Sequence, residues 1–177
     1  GHRARLGERK TLIQSGTATT PGFLGLSGSA GFWNRTGAKG ENVVIGIIDG
    51  GITPEHLSFS DRVDVNGVPV RQGTFRGGIP AYSKLAGWTG ICQRADGFRP
   101  NNCNNKLIGA RYYNEGYGGA AGVLAVLPYE FISPRDYDGH GTHTASTAGG
   151  NANVPITGTS AAYKTISGIA PRARISA

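Results

Sequence analysis

The sequence lacks any long hydrophobic run. Its longest apolar stretches, residues 43–48 and 120–127, fall well below the roughly 18 residues that a membrane-spanning helix needs. It also lacks a Lys/Arg run interleaved with aromatic residues beyond the amino terminus, although the formal net charge is +7. Much of that charge lies in the first ten residues, where four basic side chains accompany one acidic side chain. We therefore expect a protein that binds neither membranes nor nucleic acid.

Cysteine is also scarce. Cys92 and Cys103 lie close together in a segment rich in Gly, Asn and Pro, and they are the two cysteines of the chain. This pattern predicts a disulfide, which would stabilise the fold by about 2 to 3 kcal/mol and indicate an oxidising compartment. Two unpaired thiols in a cytosolic loop are the alternative. A metal site would need more ligands than this segment offers, so we predict none there.

Glycine, in contrast, is abundant, with 30 residues against a hydrophobic content of 38%. This composition favours a loop-rich α/β protein over a helical bundle. At 177 residues, the chain has about the length of one domain, long enough for a sizeable core. Residues 58–109 are dense in Gly, Pro and Asn, and we interpret them as a long surface insertion that carries the predicted disulfide.

The most regular segment is an apolar run, residues 43–48, that ends on Asp49 and two glycines. Its β-branched residues are typical of a parallel strand covered on both faces, which would place Asp49 at the strand's carboxyl end, where open α/β sheets bind ligands. The other predicted elements, in chain order, are a strand over 106–113, a helix or loop over 118–127, a helix from His140 to about Gly149 and a strand over 172–177.

His140 starts a helix that is built almost wholly from small residues. The positive end of the helix dipole disfavours imidazolium, so this position helps to keep the ring neutral, as a general base requires. A buried carboxylate has the opposite effect and fixes the imidazole tautomer. Asp49 and His140 therefore form a candidate acid–base pair for activating a Ser hydroxyl. Either residue taken alone is more often structural.

A metal site is a second interpretation of the same helix. His140 and His143 lie three residues apart on one helix face, and Asp138 lies just upstream. Zinc peptidases of the helical type use i, i+4 histidines with an intervening Glu, whereas Gly141 and Thr142 fill the gap here. A metal-dependent hydrolase that uses Asp138, His140 and His143 thus stays the alternative, and our main interpretation assigns no metal ligand.

Three segments match one family in order and spacing. They are the strand that ends at Asp49, residues 139–145, which read Gly-His-Gly-Thr-His-Thr-Ala, and residues 168–173, which read Gly-Ile-Ala-Pro-Arg-Ala. Together they resemble the amino-terminal half of the catalytic domain of the subtilisin-like serine peptidases (subtilases, peptidase family S8). Further similarity, to the cucumisin-like branch, lies in residues 103–111, 133–136 and 144–148.

The resemblance covers residues 19–177 and implies an α/β fold, a subtilisin-like parallel sheet flanked by helices, with the carboxyl-terminal half missing. It implies a secreted serine-type endopeptidase that acts on protein or peptide substrates without a cofactor. In that family pattern Asp49 is the triad acid and His140 the triad base, whereas His143 packs within the helix. Ser58 stands where many bacterial subtilisins carry a calcium-binding Asp, so we predict no calcium at that position.

The resemblance also indicates what the amino-terminal residues of the chain are. Residues 16–26 are similar to the junction between an inhibitory propeptide and the mature enzyme. We therefore expect residues 1–18 to be the end of the propeptide, which in this family lies in the substrate cleft after self-cleavage. The mature part of the chain would then begin near residue 19.

The chain departs from the family pattern at two places. Gly50 follows Asp49 where the family usually has Thr or Ser, which predicts weaker hydrogen-bond support for the acid. Ser160 lies in a Gly-Thr-Ser-Ala-Ala stretch that imitates the nucleophile motif, but the stretch lacks the completing Pro and comes before residues 168–173 rather than long after them. We interpret Ser160 as a loop residue.

The nucleophilic Ser and the oxyanion-hole Asn are accordingly expected beyond residue 177. The chain alone should be inactive, because His140 then has no hydroxyl to deprotonate and no donor stabilises a tetrahedral intermediate. A non-catalytic binding module that keeps half of the fold is the remaining alternative.

Overall fold

The computed structural model describes residues 18–71 and 78–177, and its strands are short. In chain order they are β1 (Val44–Gly46), β2 (Arg62–Val63), β3 (Ile79–Pro80), β4 (Leu107–Gly109), β5 (Val154–Pro155), β6 (Thr165–Ile166) and β7 (Arg174–Ser176). In the central sheet β7 lies between β1 and β4 and pairs parallel with both. The pairs β2–β3 and β5–β6 are antiparallel.

Helices accompany this sheet, as the sequence predicted. They are α1 (Phe32–Thr36), α2 (Gly119–Val126) and α3 (His140–Gly149), and residues 18–23 are helical as well. The parallel sheet with flanking helices confirms the predicted α/β fold. Helix α3 has the predicted bounds, because Gly139 and Gly150 flank it in non-helical conformations.

The hydrophobic core joins the insertion to the sheet. Its fully buried members are Ile52, Phe59, Phe98, Leu107, Ala110, Ala145 and Ile175. Phe59 and Phe98 come from the insertion, Ala145 from α3, and Leu107 and Ile175 from neighbouring strands. Cys92 and Cys103 form the predicted disulfide and pack against this core. The insertion is therefore part of the body of the molecule.

A buried polar cluster makes a second connection between the insertion and β7. The Tyr82 ring lies between two cations, with Lys106 Nζ 5.0 Å and the Arg172 guanidinium carbon 4.4 Å from its centroid. The Tyr82 hydroxyl donates to the side-chain oxygen of Asn151 at 2.7 Å. Lys106 is fully buried, and its Nζ donates to the backbone carbonyls of Pro171 and Ala173.

Two arginines extend this Tyr82 cluster along the end of the chain. Arg172 donates to the carbonyl of Ala81 at 2.8 Å, and Arg174 donates to the carbonyl of Ser83 at 3.0 Å. Arg174 is 6% exposed, and its buried Nε has no hydrogen-bond partner among the described residues. Residues 81–83 are thus held against the strand by cation-to-carbonyl hydrogen bonds.

The prediction that the first strand is covered on both faces is wrong. Within β1, Val44 and Ile45 are only partly buried and Gly46 is exposed, and the flanking Val43 and Ile48 are 49% and 104% exposed. In the described sheet β1 is also an edge strand. The strand is also shorter than the apolar run, although Ile47 still donates to the Ser176 carbonyl at 2.8 Å. In the part of the chain that the structure covers, no helix is long and apolar enough to cross a bilayer. The predicted propeptide end, apart from residue 18, lies outside the described residues.

Candidate active site

The structure brings the two predicted catalytic residues together. Asp49 lies three residues beyond β1, and His140 is the first residue of α3. Their side chains meet with His140 Nδ1 2.7 Å from Asp49 Oδ1. The Asp49 side chain is only 16% exposed, although the residue as a whole is exposed, so its solvent-accessible surface lies mainly on the backbone. The His140 side chain, in contrast, is 69% exposed. In the described chain Nε2 of His140 has no hydrogen-bond partner, which leaves it open to solvent or substrate.

Carboxylates upstream of α3 hold the start of this helix. Asp136 accepts hydrogen bonds from the backbone N–H of Gly139 at 2.9 Å and of Thr142 at 2.7 Å. Asp138 accepts from the N–H of His140 at 2.9 Å. Both carboxylates thus satisfy amides that a helix start leaves without intrahelical partners. The role of Asp136 was missed from the sequence, although an Asp before a helix of small residues is the signal for it.

Gly141 allows α3 to approach the chain that follows Asp49. A Cβ at this position would lie 2.1 Å from the carbonyl oxygen of Gly51, a distance that no side chain tolerates. One residue further along, Thr142 Oγ1 accepts a hydrogen bond from the N–H of Thr53 at 2.9 Å. This backbone contact fixes the separation between acid and base, which explains a glycine on the carboxyl side of His140.

The pair is electrostatically complementary. Burial disfavours the ionised Asp49 carboxyl, but hydrogen bonds from the Gly50 N–H and from His140 outweigh it and hold the pKa of Asp49 below its ordinary value. The hydrogen bond to Asp49 and its charge raise the pKa of His140 above the ordinary value, with smaller effects from Asp138 and Asp136. The carboxylates therefore outweigh the helix dipole that was expected to keep the ring neutral.

The missing hydroxyl after Asp49 is compensated locally. The Gly50 N–H donates to Asp49 Oδ1 at 2.7 Å. The Thr144 hydroxyl, which donates to the His140 carbonyl at 3.0 Å, lies close enough to Asp49 to lower the pKa of that carboxyl as well. Support for the acid therefore comes from α3 and from the backbone, not from the residue after Asp49.

An aromatic cavity adjoins the acid. It has a volume of about 310 Å³ and runs from Asp49 to the segments on either side of α2. Its walls include the rings of Tyr112, Tyr113, Tyr117 and Phe131. Aromatic walls beside an acid–base pair fit the apolar part of a bound substrate.

The other residues singled out from the sequence lie elsewhere. Ser160 lies in a 3₁₀ turn, Gly158–Tyr163, between β5 and β6. Ser58 is buried in the 3₁₀ turn Leu57–Phe59, and its N–H donates to His56 Nδ1. Over residues 18–71 and 78–177, no group of three or more His, Cys, Asp or Glu side chains is arranged to hold a metal ion. Asp138, a candidate ligand, is bonded to the helix amide instead.

The sequence is similar to those of known proteins. The family model for the subtilase family matches residues 40–177. The chain is 42% identical over 167 residues to Subtilisin-like protease SBT2.1 of Arabidopsis thaliana, which covers 93% of this chain and 18% of that protein. For SBT1.6 of the same plant the identity is 39% over 161 residues, with 91% and 19% covered.

A relative from another plant gives the same result. Subtilisin-like protease SBT3 of Solanum lycopersicum is 37% identical over 166 residues, which are 92% of this chain and 19% of that protein. The chain therefore spans about a fifth of the length of these relatives. Since the family model covers most of the sequence, and the relatives carry the same family name, the chain belongs to the subtilase family of serine peptidases.

Proposed function

We propose that the protein containing this chain is a secreted serine-type endopeptidase in which Asp49 and His140 are the acid and the base of a Ser-His-Asp triad. The observation that carries the proposal is the 2.7 Å contact between His140 Nδ1 and Asp49 Oδ1, with Nε2 left open. A carboxylate at Nδ1 holds the proton there, so the Nε2 lone pair is available to accept one.

The chemistry follows from that tautomer. Nε2 takes the proton of the Ser hydroxyl as the oxygen attacks the peptide carbonyl, and Asp49 stabilises the imidazolium that forms. The imidazolium then returns the proton to the leaving amine, and water releases the acyl group in a second cycle. The Ser and the oxyanion donor come from sequence beyond residue 177, so residues 1–177 alone do not hydrolyse peptides.

The proposal extends to processing and location. Residues 1–18 are the end of an inhibitory propeptide that binds in the substrate cleft until it is displaced. The Cys92–Cys103 disulfide supports an oxidising, extracellular environment for the mature protein. Cleavage of the precursor should leave a mature amino terminus within about residues 15–20, which amino-terminal sequencing of the mature protein would detect.

The test uses the full-length polypeptide and a pair of matched histidine variants. His140→Ala should lower kcat for an internally quenched peptide by about 10⁴-fold or more, because no base remains for the Ser hydroxyl. His143→Ala, three residues along the same helix, should keep kcat within about threefold. Asp49→Asn should lower kcat by about 10⁴-fold with little change in KM, because it favours the wrong tautomer.

Three results would contradict this assignment. One is full activity of the His140→Ala protein, and another is peptide hydrolysis by residues 1–177 alone. The third is activity that a chelator abolishes in the wild type and zinc restores, which would favour the metal-dependent alternative built on Asp138, His140 and His143. A serine-directed fluorophosphonate that labels the wild type, but labels the His140→Ala protein far more slowly, would support the triad.

A further inference from the structure

A second, polar cleft lies in the part of the insertion closed by the disulfide. Its volume is about 480 Å³, and its walls carry the side chains of Arg94, Arg99, Asn102, Arg135 and Glu55. The acid–base pair does not line it. Three arginines against one glutamate give this cleft a positive charge.

One of these arginines is already neutralised. Arg135 donates to both carboxylate oxygens of Glu55, at 3.0 and 2.7 Å, and its Nε donates to the Gly97 carbonyl at 2.8 Å. In contrast, the guanidinium groups of Arg94 and Arg99 have no hydrogen-bond or ion-pair partner within residues 18–71 and 78–177. Asp96, which lies between them in sequence, does not line the cleft. Two unpaired cations therefore face the same space.

The backbone places these two cations opposite each other. Ala95 and Phe98 exchange backbone hydrogen bonds of 3.1 Å in both directions, as an antiparallel bridge. The next pair outward in that register is Arg94 and Arg99, whose Cβ atoms should lie about 4.5 to 5.5 Å apart. Like charges in such a pair repel each other, and an anion held between them would remove the repulsion.

Residues 94–99 form a short hairpin whose backbone is held in place by the core, the disulfide and a side-chain hydrogen bond. Phe98 is fully buried in the core, and the Cys92–Cys103 disulfide closes the segment. The N–H of Arg99 donates to the side-chain oxygen of Asn102 at 2.7 Å. Because the backbone is fixed in this way, the arginines are positioned before any ligand arrives, which lowers the entropic cost of binding.

We propose that the cleft binds an acidic side chain of a polypeptide, with the carboxylate held between Arg94 and Arg99. The identity of the partner rests on the proposed peptidase function, since the cleft is built on the segments that carry the acid–base pair: Ile52 and Arg135 form a parallel bridge. A polypeptide substrate is the molecule brought to these segments. The chain's own amino terminus is not the ligand, because its net positive charge would be repelled.

Peptide binding to the full-length His140→Ala protein tests this without turnover. Fluorescent peptides of one sequence would carry two Glu, two Gln or two phosphoserine residues. We expect the Glu peptide to bind about tenfold more tightly than the Gln peptide at low salt, and the difference to shrink as salt rises. The double variant Arg94→Gln/Arg99→Gln should abolish it, whereas Arg94→Lys/Arg99→Lys should retain part of it.

A charge-matched control separates a site from net charge. Arg35→Gln/Lys84→Gln removes two exposed positive charges elsewhere and should leave the preference for the Glu peptide unchanged. The proposal is overturned if this control lowers the preference as much as the Arg94/Arg99 variant does, or if the Glu and Gln peptides bind equally. Binding of the phosphoserine peptide alone would also overturn it, in favour of a phosphate site.

Cleavage assays keep the two proposals apart. In the protein with His140 intact, Arg94→Gln/Arg99→Gln should leave kcat/KM for a short neutral peptide within about twofold and lower it about tenfold for the Glu peptide. Equal cleavage of both peptides by wild type and variant would overturn the cleft and leave the triad standing. Preference for the Glu peptide in binding, without hydrolysis of any peptide, would contradict the triad and support the cleft.

Discussion

The acid–base pair and the Tyr82 cluster shift the pKa of a basic side chain in opposite directions. His140 is largely exposed, but it touches a carboxylate, and the hydrogen bond to Asp49 raises its pKa. Lys106 is buried, touches carbonyls and an aromatic ring, and has Arg172 and Arg174 as charged neighbours. Burial first, and then those two arginines, lower the pKa of Lys106 to about 7. The protonated form is therefore favoured at His140, which has an adjacent carboxylate, and disfavoured at Lys106, which is buried beside other cations.

This difference has a functional side. A general base must be reached by its substrate, so its protonation is controlled by a partner and not by burial. The Tyr82 cluster is buried, and it connects the insertion to the end of the chain around β7 through hydrogen bonds from basic side chains to backbone carbonyls. Burial also raises the pKa of Tyr82 to about 12, so its hydroxyl stays a donor across the physiological range. The first region fits the proton transfer that we propose for it, whereas the second holds two parts of the chain together.

The largest expected effect is a pH-dependent stability that arises from Lys106. Its pKa falls from 10.5 in the unfolded chain to about 7 in the fold, so between these values the unfolded chain binds more protons. The free energy of unfolding should therefore rise with pH over this window, by about 1 kcal/mol per pH unit, and the gain should be lost as pH falls towards 7. Urea denaturation at several pH values measures the slope.

The variant Lys106→Met provides the control for that slope. It removes the titrating group and leaves two carbonyls without their donor, so it should destabilise the protein more at pH 9 than at pH 6. A slope that survives in the Lys106→Met protein would assign the pH dependence to other groups. The difference between His140 and Lys106 would then be one of burial and contacts, without the opposite pKa shifts.

A smaller effect is expected from Gly141→Ala on the other side of the comparison. The new Cβ would clash with the Gly51 carbonyl, so α3 must shift away from the chain that follows Asp49. We expect a loss of about 2 kcal/mol in the free energy of unfolding and a lower His140 pKa, with the Lys106 slope unchanged. Gly116→Ala, where a Cβ meets nothing within 4 Å, is the matched control. Equal stability of the two variants would show that the close approach is not required.

The smallest effect is a difference between two histidines, measured by NMR titration. The pKa of His140 should lie above the ordinary value of 6.5 because of Asp49, and that of His56 should lie below it because of burial. Asp49→Asn should move the His140 pKa back towards 6.5 and leave His56 unchanged. A His140 pKa that does not respond to Asp49→Asn would disprove the pairing in solution.

Local patterns in the sequence were sufficient to predict the elements that carry the site. Small residues after His140 predicted a helix whose bounds are confirmed, and the apolar run before Asp49 predicted a strand. The burial of β1 could not be predicted, because a β-branched run has the same sequence pattern whether its faces are covered or, as at the neighbouring Ile48, exposed. Burial depends on neighbours that the run itself does not specify.

The features that were not predicted from the sequence depend on how the fold arranges residues around a charged side chain. In the sequence Lys106 is an ordinary polar residue at the start of the strand predicted over 106–113, and only the fold brings Pro171 and Ala173 to its ammonium group. Similarly, the Ala95–Phe98 bridge sets Arg94 opposite Arg99, and the Asp96-Gly97 pair between them is a two-residue turn signal that was overlooked in the sequence. Charge, in both cases, was visible in the sequence, but its surroundings were not.

The double hydrogen bond of Asp136 has a consequence for protein design. A designer who transplants the acid–base pair to another scaffold would copy Asp49, His140 and the glycines beside the histidine. The orientation of the imidazole, however, is set by the first turn of α3, whose amides at Gly139 and Thr142 are both held by Asp136. The smallest transferable unit on that side therefore begins four residues before the histidine, and a graft without Asp136 would carry the right side chains on a helix that frays at the position of the base.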